Sequence, residues 1–120
     1  TAGRISRVTT GGAVDFGGSE EQPAATQELE PRKAEPDDEY GWWDLEPGTY
    51  VIRFNETPEL GETQIGFLQP HERLLRAGAT HASYYFRERR QTLETTLFVA
   101  TGGVRIKQNA RVSKLLVLQM

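Results

Sequence analysis

Short runs of alternating apolar residues, separated by glycine and proline, fill the chain from Trp42 onward. In the run 49–54, Tyr50, Ile52 and Phe54 fall on one face of an extended chain, because successive side chains of a strand point to opposite faces. Further strands are predicted at 63–68, 80–86, 92–99, 104–106 and 111–120. Many short strands with turn residues between them favour an all-β, mostly antiparallel, barrel-like fold.

One segment interrupts this pattern. Pro70 cannot donate a hydrogen bond to a strand ladder, so strand pairing is expected to stop there. Residues 72–77 then predict one or two helical turns, and Gly78 ends them because glycine readily adopts the left-handed conformation. We therefore expect a single short helical element.

The last strand differs from the others. Residues 115–118 are Leu-Leu-Val-Leu, apolar on both faces, as expected for a strand that is buried on both sides. Only 37% of the residues are hydrophobic, which makes a thin core for 120 residues. We expect the chain to complete its core by association with other copies.

The segment 17–41 is strongly acidic. It holds eight acidic residues against Arg32 and Lys33, a net charge of −6, so the rest of the chain carries +3. It also contains three prolines and almost no large apolar residue, which predicts a long loop or an extended arm within a single domain, 1–120. We expect this arm to contact something other than its own core; the alternative is a passive, solvent-exposed linker.

Aromatic residues flank the acidic segment. Before it, 11–16 are a candidate edge strand. After it, Tyr40, Trp42 and Trp43 are expected to anchor the end of the arm in the core, with an aromatic recognition cluster as the alternative.

Several classes of chemistry are disfavoured. The chain has no cysteine and only His71 and His81, so neither a disulfide nor a histidine-based metal site is expected, and we predict no cofactor. No apolar run approaches the roughly 20 residues of a membrane span, and no signal-peptide core follows Thr1. The expected location is cytoplasmic or within a virion.

Four segments together resemble a known family. They are Val14-Asp15-Phe16 before the acidic segment, Trp43-x-Leu45-x-Pro47-Gly48-x-Tyr50, Pro70-x-x-x-Leu74-Leu75-Arg76-x-Gly78-Ala79-Thr80, and Asn109-Ala110-Arg111-Val112-Ser113-Lys114-Leu115. In order and spacing they are similar to the archaeal branch of the dUTPase / dCTP deaminase family. The resemblance implies an antiparallel β-clip and a homotrimer with sites between subunits.

The reactive positions of that family carry other residues here. The two serines that hold nucleotide phosphates fall on Glu72 and Arg73, and the water-activating aspartate falls on Arg87. Arginine stays protonated and cannot act as a base. The deaminase glutamate falls on Leu97, and two base-pocket positions are also arginines.

From these departures we expect a non-catalytic, homotrimeric structural or interaction module without catalytic, cofactor or metal residues, a pseudoenzyme placed in a larger assembly such as a viral capsid decoration. The alternative is a dUTP diphosphatase-type hydrolase with a rearranged site that uses Glu72, Glu88 or Glu94 with Mg²⁺. A nucleotide or nucleic-acid sensor is a third hypothesis, disfavoured because a charge of +3 is weak for a nucleic-acid binder.

Two groups of residues are singled out as sites. Candidate anion or partner contacts are Arg73, Arg87, Arg89 and Arg90, although the last three also suit a solvated hairpin tip. The candidate trimer interface contains Arg111, Leu115 and Val117. The expected partners are other copies of the chain and other proteins, not a membrane or a nucleic acid.

Overall fold

The computed structural model describes all 120 residues, Thr1–Met120, as ten β-strands and one six-residue helix. Every strand pair is antiparallel, which confirms the predicted all-β fold. In chain order the elements are β1 (Ala2–Thr10), β2 (Ala25–Leu29), β3 (Trp42–Leu45), β4 (Gly48–Phe54), β5 (Gln64–Pro70), α1 (Glu72–Ala77), β6 (Ala79–His81), β7 (Tyr84–Phe86), β8 (Glu94–Val99), β9 (Val104–Lys107) and β10 (Ser113–Gln119).

The strands form three sheets. The largest has five strands in the order β2-β1-β4-β8-β6, a second has the order β10-β5-β7, and a third pairs β3 with β9. The strand predicted at 80–86 is divided, because β6 joins the first sheet and β7 the second. Residues 82 and 83 therefore carry the chain from one sheet to another.

The core forms where the alternation predicts it. Tyr50, Ile52 and Phe54 of β4 are at most 5% exposed, and Ile5 of β1 and Leu97 of β8 are fully buried beside them. Leu97 is the position that the resemblance aligns with the deaminase glutamate, and here it is a core residue.

The helix begins and ends as predicted. The His71 imidazole caps its first turn by accepting a hydrogen bond from the Arg73 N–H, 3.1 Å away. Gly78 has φ of 109°, the left-handed conformation that glycine tolerates best, and its N–H bonds back to the last turn. β5 ends at Pro70, which is its last residue and lies opposite Ser113 of β10.

β10 is not buried within the chain. Leu115, Leu116, Val117 and Leu118 are between 39% and 54% exposed, because β10 is an edge strand that pairs only with β5. An apolar pattern on both faces predicted a buried strand, and one chain alone does not supply the surfaces that would bury it.

The acidic segment is partly a strand rather than a continuous loop. Residues 25–29 are β2, which pairs with β1 along the edge of the five-stranded sheet. The buried Trp43 indole donates a hydrogen bond of 2.9 Å to the Leu29 carbonyl, so the predicted anchoring is confirmed for Trp43. Trp42 is only half-buried and Tyr40 is 40% exposed. The sequence did not reveal β2 because its stabilisation comes from backbone pairing rather than from buried side chains.

The predicted edge strand at 11–16 is wrong. Only Ala13 makes a bridge, with Gln22, and Phe16 projects from the turn that follows. The Asp15 carboxylate accepts hydrogen bonds from the N–H groups of Gly18 and Glu20, which closes the turn before a strand can extend.

Candidate functional site

A cavity of about 490 Å³ lies over the outer face of the five-stranded sheet. Its walls come from β1, β2, β4, β8 and the residues just before β2; they are Arg4, Ser6, Pro23, Ala24, Thr26, Glu28, Val51, Arg53 and Glu94. The volume is within the roughly 300–1,000 Å³ that is usual for small-molecule sites. We refer to it as the sheet cavity.

A row of charges crosses four strands along the floor of the sheet cavity. Arg4 of β1 lies directly opposite Arg53 of β4, and Arg53 lies opposite Glu94 of β8. Glu28 of β2 completes the row, with its Oε1 3.2 Å from the Arg4 Nε. The order across the sheet is therefore Glu–Arg–Arg–Glu.

Strand alternation places this row on the outer face. Ile5 and Ile52 are neighbours of Arg4 and Arg53 in sequence and point into the core, so the two arginines point outward. Like charges opposite each other on neighbouring strands are destabilising. The two glutamates offset that repulsion, and both Arg53 Nε and Nη2 lie 3.0 Å from the Glu94 Oε2.

The row can bind an anion and polarise water. Guanidinium groups form paired hydrogen bonds with phosphate oxygens, and each arginine here uses only part of its five donors on its glutamate. A phosphate group between Arg4 and Arg53 would compete with Glu28 and Glu94 for those donors. Glu94 would then be free to accept a proton from water.

Of the three carboxylates considered in the enzyme alternative, Glu94 lines the sheet cavity. Glu72 lies at the start of α1, where the hydrogen bond from Lys114 lowers its pKa below the usual value. Glu88 is exposed on the loop between β7 and β8. Sequence reasoning missed Arg4, Glu28 and Arg53 because strand pairing, not spacing, brings them together.

The four candidate arginines fall in two places. Arg73 on α1 lines a separate cavity of about 220 Å³ together with Arg111. Arg87, Arg89 and Arg90 lie on the loop between β7 and β8, where the Leu60 N–H donates to the Arg89 carbonyl at 2.7 Å. Arg90 is 3.9 Å from Glu59, so part of its charge is already balanced.

The candidate interface residues surround the start of β10. Arg111 and Leu115 line a cavity of about 260 Å³ with Phe54, Leu68 and Ser113. Val117 is farther along β10 and is 47% exposed. Their place on an exposed edge strand is compatible with an interface, which remains a prediction.

A buried histidine links β10 to the core. His81 is 3% exposed, and burial lowers its pKa below the ordinary value. Its Nδ1 is 3.0 Å from the Ala82 carbonyl, which can only accept, so Nδ1 carries the proton. Nε2 therefore accepts from the Ser113 hydroxyl at 2.7 Å.

No group of three or more His, Cys, Asp or Glu side chains in the structure could hold a metal ion. No helix is long and apolar enough to cross a membrane.

Two curated relatives match the chain, and no family model does. A protein of Methanosarcina acetivorans, named probable deoxyuridine 5'-triphosphate nucleotidohydrolase, is 32% identical over 118 residues, which are 97% of this chain and 66% of the relative. A protein of Aeropyrum pernix with the same name is 48% identical over 40 residues, 33% of this chain and 25% of that relative.

These names contradict the expectation that the chain is not an enzyme, and that prediction is wrong. That expectation rested on a position-by-position comparison of a few motifs, whereas the identity to the Methanosarcina acetivorans protein extends over 97% of the chain. No finding supports a structural role or a place in a capsid. Identity that runs through nearly the whole chain confirms the resemblance seen in the motifs: the chain belongs to a dUTPase-like family.

Proposed function

We propose that this chain is a subunit of a dUTP diphosphatase-type nucleotide hydrolase that works as a homotrimer. The observation that supports the activity best is the 32% identity over 97% of the chain to a protein named a probable dUTP nucleotidohydrolase. Since the match covers 97% of the chain, it spans the whole antiparallel fold rather than one motif.

The sheet cavity is the proposed place for the triphosphate. Arg4 and Arg53 lie side by side on its floor and offer two guanidinium groups to phosphate oxygens. The positive charge of the two arginines is needed, because it offsets the repulsion between a triphosphate and the carboxylates of Glu28 and Glu94. The open side of the cavity leaves room for residues of a neighbouring subunit.

Glu94 is the proposed base. In the free chain Arg53 holds it in a fixed orientation through the contacts to its Oε2. When phosphate oxygens take over the Arg53 donors, the Glu94 carboxylate is released beside the reacting phosphate. There it would orient a water molecule and accept its proton.

The donor set suits a magnesium ion only as a companion of the nucleotide. Mg²⁺ in nucleotide sites is held by one or two carboxylates together with substrate phosphates, and it neutralises phosphate charge. Glu28 and Glu94 are the two carboxylates that line the sheet cavity, which is too few for a protein-only cage.

The test is pyrophosphate release from dUTP, compared with dCTP, in the presence of Mg²⁺. Glu94→Gln is expected to lower kcat on the order of 100-fold or more, the usual contribution of a general base. Glu59→Gln is the matched control, because Glu59 is also exposed and paired with an arginine but lies outside the cavity.

Two results would count against the proposal. If the assembled protein releases no pyrophosphate from dUTP, the proposed activity is wrong. If the activity is present and Glu94→Gln leaves it intact, the activity stands and the site lies elsewhere, with Glu72→Gln and Glu88→Gln as the next variants.

A further inference from the structure

Residues 13–22 form a hairpin, the Phe16 hairpin, that presents bare apolar side chains. Phe16 is 106% exposed and Val14 is 93% exposed, the two highest values among the large hydrophobic residues of the chain. Exposure of a whole aromatic ring to water is unfavourable and is usual where a partner covers it.

The Phe16 hairpin is held in shape by its own hydrogen bonds. Ala13 and Gln22 exchange two backbone hydrogen bonds of 2.8 Å and 2.9 Å. Asp15 accepts from the N–H groups of Gly18 and Glu20 at 2.6 Å and 2.8 Å. Phe16 is thus displayed on an ordered turn, which lowers the entropy cost of binding.

The cavity lined by Arg73 and Arg111, described above, has apolar walls and a basic rim; we call it the Leu74 cavity. The Leu74 cavity has a volume of about 220 Å³ and apolar walls that include Leu74, Ala77, Ile106 and Val112. An apolar cavity of about 150 Å³ is known to hold a benzene ring. The volume of the Leu74 cavity is therefore large enough for a phenylalanine ring.

The charges of the two surfaces are complementary. The Phe16 hairpin carries Asp15, Glu20 and Glu21 and no basic residue. The Leu74 cavity is rimmed by Arg73, Arg105, Lys107 and Arg111. Asp44 balances Arg105 at 2.6 Å, whereas the other three make no ion pair within the chain.

We propose that the Phe16 hairpin of one copy docks into the Leu74 cavity of a second copy, with the Phe16 ring in the cavity and the acidic side chains on its basic rim. The walls of the cavity come from β3, α1, β9 and residues 110–112, and the hairpin makes its backbone hydrogen bonds to none of them. This contact is independent of the catalytic proposal, since neither surface includes Arg53 or Glu94.

Disulfide trapping tests the contact directly, because the chain has no cysteine of its own. In Gly17→Cys/Ala77→Cys, the first position leaves Phe16 in place and has open space around its Cβ, and the second lies in the cavity wall. Mild oxidation is expected to give covalent dimers and larger species on a non-reducing gel. The matched control is Gly17→Cys/Leu75→Cys, since Leu75 is on the same helix, is 50% exposed and does not line the cavity.

The yield of the cross-linked product should depend on the Phe16 ring and on the acidic side chains of the Phe16 hairpin. Adding Phe16→Ala should lower its yield at least about tenfold, as truncation of an aromatic anchor does. Glu20→Lys/Glu21→Lys should lower it too, and Arg73→Glu/Lys107→Glu should restore it in that background. High salt should weaken the contact.

Three results would overturn the proposal: a cross-link confined to single chains, an equal yield with Leu75→Cys, or a yield that does not change with Phe16→Ala. A cross-link within one chain would mean that the hairpin folds onto its own cavity.

Discussion

β4 and β10 are both seven-residue strands rich in apolar side chains, yet β4 buries its apolar side chains and β10 leaves them exposed. β4 is central in its sheet and buries Tyr50, Ile52 and Phe54 almost completely. β10 is at the edge of its sheet and leaves Leu115 and Leu118 at 39% and 54% exposure.

The difference follows from the period of the pattern. In β4 the buried residues recur at every second position, Tyr50, Ile52 and Phe54, so one face belongs to the core and the other is partly open to solvent. β10 is apolar on both faces, and a single chain provides it with only one partner strand. The apolar face of β4 is buried within the chain, whereas the apolar side chains of β10 can be buried only against a surface outside the chain.

The largest expected effect is on β4. Ile52→Ala should lower the free energy of unfolding by about 2–5 kcal/mol, because it removes a fully buried side chain and leaves a cavity. Chemical denaturation measures this. Val51→Ala, on the opposite and partly exposed face, should cost less than about 1 kcal/mol. Equal losses for the two variants would show that burial on one face of β4 does not account for its contribution to stability.

The second effect is on association. Leu115→Asp should leave the circular dichroism spectrum of the chain unchanged and dissociate the assembly, because it puts a charge on the exposed apolar edge. The expected weakening exceeds about tenfold in Kd, measured by sedimentation. Thr9→Asp, at an exposed position near the end of β1, is the control, and an intact assembly after Leu115→Asp would show that β10 is not the interface.

The third prediction concerns pH and the histidine that ties β10 to the core. Burial depresses the pKa of His81 in the folded state, so the unfolded chain takes up a proton first as the pH falls. Stability should be full above a pH of about 6.5 and decrease below it, by at most about 1.4 kcal/mol per pH unit.

Denaturation curves at several pH values measure that slope. His81→Gln should abolish it, while His71→Gln, at the cap of the helix, should not. A slope that persists in His81→Gln would mean that other groups carry it.

The smallest effect concerns β2, which resembles neither β4 nor β10 because it is held mainly by backbone pairing and a few polar side-chain contacts, such as the Arg4–Glu28 ion pair and the Trp43 hydrogen bond. Trp43→Phe removes the hydrogen bond to the Leu29 carbonyl and should cost about 1 kcal/mol. Hydrogen exchange in residues 25–29 should speed up. Trp42→Phe, which leaves that bond intact, is the control and should leave the exchange unchanged.

Much of the fold could be read from the chain. The helix at 72–77, the buried face of β4 and the anchoring by Trp43 were predicted from local patterns, and the structure confirms them. Each depends on residues that are close in sequence or on the two-residue period of a strand. The same signals predicted an edge strand at 11–16, where the structure has a turn closed by Asp15 instead.

The candidate site could not be predicted in this way. Arg4, Glu28, Arg53 and Glu94 are far apart in sequence, and the sheet order β2-β1-β4-β8 places them in one row. Only Glu94 was considered beforehand, as one of three acidic residues. Their juxtaposition depends on which strands pair and in which register. Polar residues on the outer face of a strand form no sequence pattern that predicts this pairing.

The sequence by itself determined the buried face of β4, where the helix begins and ends, and the family to which the chain belongs. These follow from side-chain period, capping residues and motif spacing, all of which are local. The tertiary structure decided that β2 joins the edge of the largest sheet, that β10 stays exposed, and that four charges meet in one cavity. Those outcomes depend on non-local backbone pairing, whose hydrogen bonds are nearly independent of the side chains that the sequence displays.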